Sequence, residues 1–134
     1  MSTKRSSRGQ SLAEFAIVLP LLLIIGLGTV DFGRVFFAYI SVTNAARNGA
    51  QYAASDPEHL DDLTGIQDAA LADTGELLDR SSTNPNVTLA TGNDSQGYPY
   101  AEVQVSYTFS TLFPWPGLPT SMNVERVVRA MVGE

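Results

Sequence analysis

Sixteen consecutive residues, Phe15 to Val30 ("FAIVLPLLLIIGLGTV"), carry no charge. With Leu12 to Glu14 they make roughly 20 residues, about what a helix needs to cross the ~30 Å hydrocarbon core of a bilayer. Pro20 falls within this run. Proline is costly in a soluble helix but tolerated in a membrane one, where neighbouring groups satisfy the freed backbone. Lys4, Arg5 and Arg8 crowd the short flank before it, so the N-terminus is expected in the cytoplasm and everything after the span outside. One charge fits poorly: Glu14 sits just inside the apolar edge, where lipid begins.

A cleaved secretory signal is the competing reading of the same residues. Its n-region would be Met1 to Glu14, its h-region Phe15 to Ile25, and Gly26-Leu27-Gly28 its cleavage site. The pattern downstream favours a retained helix. Phe32, Val35, Phe36, Tyr39 and Ile40 continue at i, i+3, i+4, i+7 and i+8, one face of an uninterrupted helix. Asp31 and Arg34, at i and i+3, can pair as they leave the lipid. Ala45, Ala46, Ala50, Ala53 and Ala54 prolong a small-residue face toward Asp56-Pro57, where the residue before proline disfavours helix. The spacing predicts a first helix from about Ser11 to Ser55.

Beyond it, Ser55-x-x-Glu58 offers a capping box with Pro57 in the first turn. Leu60, Leu63, Ile66, Ala70, Leu71, Leu77 and Leu78 predict a second helix, weakened by Gly65 and Gly75. From Val87 the period becomes two. Val87 and Leu89 form a short strand, Gly92 to Pro99 a turn region, and Val103, Val105, Tyr107 and Phe109 the clearest strand. Met122, Val124, Val128, Ala130 and Val132 alternate in a third, interrupted by Arg126. Phe113 to Pro119 holds three prolines and cannot be a central strand. The expected fold class is α+β: a long transmembrane helix continuing into a second helix packed on about three antiparallel strands. The expected division is a basic leader over 1–9, the long helix over 10–55 and an extracytoplasmic domain over 56–134.

Little chemistry is encoded. The 134 residues hold 14 acidic and 8 basic side chains, net charge -6, and three of the basic ones lie in the leader, which speaks against nucleic acid as a partner. Without cysteine, disulfides, thiolate metal sites and cysteine nucleophiles are excluded. The one histidine, His59, reads as a surface residue at a helix start. Asp56, Glu58, Asp61 and Asp62 lack the spacing of a calcium loop and suit a solvated helix N-terminus instead. Gly26-x-Gly28 lies in the span and reads as helix packing. Asn86-Val87-Thr88 and Asn93-Asp94-Ser95 match the glycosylation sequon, which matters only in a eukaryotic secretory route. No catalytic residue, cofactor or metal is expected. The apolar, proline-stiffened loop with Phe113, Trp115 and Leu118 is the candidate protein contact; a loop folded over the sheet is the alternative.

Glu14 has no basic residue within a turn on its C-terminal side. Cleavage between Gly9 and Gln10 would create an α-amine of pKa about 7.7 to 8.0 one helical turn away, able to meet Glu14 of the same or a neighbouring chain. Gly9-Gln10, then Glu14-Phe15 at the fifth and sixth mature positions, then an apolar helix, resembles the class III signal of type IV pilins. More closely, Gly9-Gln10, Glu14-Phe15, Pro20, Asp31-Phe32-Gly33-Arg34 and the Asn44 to Ala50 run resemble the TadE-like family, pseudopilins of the tight adherence (Tad/Flp) pilus machinery. The resemblance covers about the first 55 residues. It implies cleavage after Gly9 by a prepilin peptidase, residence in the inner membrane as a single-pass protein, and pilin, pseudopilin and pilus-assembly proteins as partners beside the lipid bilayer. Major Flp pilins carry Glu-Tyr at the motif and are little more than the helix. Glu14-Phe15 and an added domain therefore imply a minor or assembly subunit. An unprocessed signal-anchored binding module and a secreted domain released after Gly28 remain the alternatives.

Overall fold

The computed structural model describes residues 7–72, 74 and 85–132. Helix α1 runs without a break from Ser7 to Ser55, through Pro20, about 74 Å at 1.5 Å per residue. Its length exceeds any single partner. From Gly9 to Leu27 every side chain is exposed, and only 6% of the most apolar 18-residue window is covered. The second half buries one face: Ala38, Val42, Ala45, Ala46, Ala50 and Ala53 form a covered stripe at helical spacing, while Phe32, Phe36, Tyr39 and Ile40 stay exposed.

That stripe packs on a three-stranded antiparallel sheet of β1 (Asn86–Asn93), β2 (Pro99–Ser110) and β3 (Ser121–Met131), in the order β1-β2-β3. On the central strand β2, Ala101, Val103, Val105, Tyr107 and Phe109 are buried against α1, the period-two alternation of a one-face sheet. Val103 is flanked by Leu89 on β1 and Val128 on β3. The opposite face carries a cross-strand pair, Glu102 opposite Arg129, whose Nη2 donates to Oε2 at 2.7 Å while its guanidinium covers the Tyr100 ring at 4.0 Å. Asp94 turns the β1–β2 hairpin by accepting from the amides of Gln96 and Tyr98, with Gly97 at φ +88°, a backbone region open to glycine.

Between α1 and the sheet lie two short helical pieces where the sequence suggests one helix. A 3₁₀ helix spans Pro57–Asp61 and α2 spans Leu63–Leu71. The break is at Asp62, whose Oδ1 accepts from Gly65 N at 2.9 Å and caps α2. The expected Ser55–Glu58 capping box does not form either. Ser55 Oγ donates back to Tyr52 O, and Asp56, extended at φ -152°, caps the 3₁₀ turn through Glu58 N. Local carboxylates won the competition for the orphan amides. Leu77 and Leu78, expected in the second helix, lie outside the described residues.

Buried Ile66 and Ala70 of α2 join the same core. The three layers meet at Gly49, where a Cβ would stand 3.1 Å from Val103 Cγ1 and 3.2 Å from Ala70 Cβ.

Candidate functional site at the membrane border

The N-terminal motif residues all lie on the exposed first half of α1. Gln10 Nε2 donates to Glu14 Oε1 at 3.2 Å, an i, i+4 contact on the helix surface. Phe15 beside it is 57% exposed. Gly9 and Gln10 are themselves helical, so the carboxylate at the edge of the apolar run already has one neutral donor.

A second carboxylate, Asp31, follows directly on the uncharged run and is handled differently. It is buried. Oδ1 accepts from Leu112 N at 3.0 Å and Arg34 Nη1 at 3.2 Å; Oδ2 accepts from Trp115 Nε1 at 3.1 Å and Phe113 N at 3.4 Å. Four donors converge on one side chain, a density that makes a buried carboxylate tolerable. Arg34 is further held by Ser110 O at 3.5 Å and lies over the Phe109 ring at 5.0 Å.

Three of the four donors come from the β2–β3 loop, residues 111–120. Pro114, Pro116 and Pro119 have no N–H, which leaves the amides of Leu112 and Phe113 and the indole as available donors beside the helix. Thr111 N bonds Thr120 O at 3.0 Å across the loop base. At its tip, Leu118 N bonds Trp115 O at 3.1 Å with Gly117 at φ +83°, a type II turn with proline at i+1 and glycine at i+2. The loop therefore neither hangs free nor lies over the sheet. It docks on α1, with the Trp115 ring 3.6 Å from where a Cβ on Gly28 would stand. Phe113 stays 44% and Leu118 65% exposed.

Reasoning from helical spacing reached the Asp31–Arg34 contact but not the loop's three donors, which lie more than 80 residues away. A tryptophan among prolines and an acid at the edge of the apolar run were each visible; their meeting was not. His59 is half-buried, stacked on Tyr52 at 4.3 Å, with Nδ1 3.0 Å from Ser55 Oγ and 3.1 Å from Tyr52 O. Tyr52 OH in turn donates to Asp62 Oδ2 at 2.9 Å. The hydrogen bond from Gly65 N, then that from Tyr52, holds the Asp62 carboxyl below its usual range. The same contact raises the Tyr52 phenol. Among the described residues no three His, Asp or Glu side chains group to hold a metal ion.

Residues 9–51 match the family model of TadE-like proteins. The first helix is similar to that of TadE-like proteins. The matched stretch begins at Gly9, includes the Glu14 and Asp31 sites, and ends inside the alanine stripe that carries the sheet. The strands and the Trp115 loop lie beyond it. No curated protein and no solved structure matches the chain.

Proposed function

We propose that this chain is a non-enzymatic membrane pseudopilin, a minor or assembly subunit of a Tad/Flp-type pilus. The observation that carries the reading is the TadE-like match over a helix whose apolar residues from Gly9 to Leu27 are exposed throughout. Exposed residues from Leu12 to Val30 need lipid or neighbouring helices around them. The outer domain leaves that surface untouched except at Gly28. Prepilin peptidase removes residues 1–9 on the cytoplasmic side, and the new α-amine on Gln10 then competes with the Gln10 amide for Glu14. Between chains at equal depth, the amine–carboxylate contact sets subunit register. The mature protein is held in the inner membrane with its α+β domain outside, and its partners are pilins, other pseudopilins and inner-membrane assembly proteins.

The test is intact mass and N-terminal sequencing of the protein extracted from its native membrane. A chain beginning at Gln10 is expected. A chain beginning at Met1 would leave a signal-anchored envelope protein, and a start beyond Gly28 a secreted domain; either overturns the reading.

A further inference from the structure

The β2–β3 loop reaches below the level at which α1 leaves the apolar run. Asp31 is the first charged residue after that run, yet the loop's Trp115 ring packs on Gly28, and Trp115 and Leu118 share an apolar cleft with Ile24. Gly28 is three residues before Asp31, so the Trp115 ring lies about 4.5 Å further down the helix at 1.5 Å per residue. Its outward side chains are Leu112 and Leu118, each 65% exposed, and Phe113 at 44%. From Val103 to Val124, around the whole loop and the adjoining parts of β2 and β3, there is no Asp, Glu, Lys, Arg or His. The charges of the sheet lie farther from the loop: Glu125 and Arg126 at mid-strand opposite Ser106 and Val105, and the Glu102–Arg129 pair beyond them.

We propose that this loop is a second membrane element: its Phe113, Trp115 and Leu118 side chains enter the outer leaflet beside α1, resting on the reading of α1 as a membrane span. The occupant of the exposed apolar surface is lipid, because that surface is continuous with the span and lies at its depth. A ring about 4.5 Å below the first charge, with Leu118 and Phe113 exposed beside it, suits the shallow end of the ~5–10 Å to which interfacial elements bury in the headgroup and acyl boundary. Tryptophan with its N–H satisfied, flanked by prolines, suits that zone. The Asp31 cluster is what permits the arrangement. Every charge at this level is either sequestered, as Asp31 is by loop donors, or placed one turn outward, as Arg34 is, where lipid phosphates lie. The three donors also fix the loop's angle, so that the outer domain is attached to the bilayer at two points and cannot swivel about α1.

Trp115 is the sole tryptophan, so its fluorescence reports this loop alone. The full chain is reconstituted into phosphatidylcholine–phosphatidylglycerol vesicles, floated on a density gradient, and titrated with iodide or prepared with lipids brominated near the headgroup or near the chain end. Flotation together with strong quenching by shallow bromine, weaker quenching by deep bromine and little by iodide is expected. Leu118→Asp is expected to float equally while shallow-bromine quenching falls about twofold or more, as the loop lifts from the interface. Flotation with Trp115 unquenched by bromolipid, whether or not iodide reaches it, overturns the loop proposal and leaves the spanning helix intact. Failure to float overturns both.

Discussion

At the residue scale, two charged side chains show opposite solutions to the same difficulty. Asp31 is buried and meets four donors. Arg126 faces α1 from among Val124 and Val128, with its guanidinium 4.4 Å over the Tyr39 ring and its Nε buried without a hydrogen-bond partner among the described residues. A cation–π contact contributes about 0.5–1 kcal/mol, whereas a buried unsatisfied donor costs about 1–3. The balance predicts that Arg126→Leu raises stability by about 1 kcal/mol, read as a higher midpoint in chemical denaturation. Asp31→Ala is expected to lower the melting temperature and free the loop, so that Trp115 becomes more accessible to aqueous quenchers. Asp62 contributes to the acid limb. Its carboxyl is held below the ordinary value of 3.8 by Gly65 N and Tyr52. Its contribution is therefore complete above that ordinary value and lost as pH falls through the lowered folded one. Asp62→Asn should flatten stability against pH in that acid range, and an unchanged acid limb would contradict the assignment.

Elements in this chain are set by how their faces are shared. The stripe Ala38, Val42, Ala45, Ala46, Ala50 and Ala53 consists of small residues because the sheet and α2 both press on α1 there. Gly49 is where the three layers meet. An alanine would gain about 1 kcal/mol of helix propensity but stand 3.1–3.2 Å from two neighbours, so Gly49→Ala is expected within about 1 kcal/mol of the native protein. Gly49→Leu adds volume with nowhere to go and should cost about 1–3 kcal/mol; equilibrium unfolding of the pair decides this. The alternation in β2 translated directly into its buried face, since a central strand with one solvated side permits only one register. The second helix did not translate. Asp56 and Asp62 each capture a nearby amide, and a strong local cap outweighs weak periodicity interrupted by glycine.

For the whole molecule, the sheet and the second half of α1 form one core and are not separable. The sheet is covered by α1 from Ala38 onward and, lower down, by the Asp31 contact. A chain beginning at Asp31 is thus expected to retain a cooperative thermal transition, while one beginning at Pro57 lacks a layer of the core and should show no near-ultraviolet circular dichroism. At the same scale, Glu14→Ala should leave membrane insertion intact, as judged by carbonate extraction, but impair piliation. Normal surface pili in that mutant would refute the amine pairing. The sequence by itself determined the apolar span, the extended helix, the strand alternation and the TadE-like motif. Each of these is written in local period or in contiguous residue type, which a chain displays whether or not it is folded. Only the tertiary structure decided that the Trp115 loop satisfies Asp31, that Arg126 rests on Tyr39, and that the exposed apolar residues of loop and helix form one surface. These contacts join residues about 80 apart in the chain, and they exist because antiparallel pairing of β2 with β3 returns the loop to the helix at the point where its charge needed a partner.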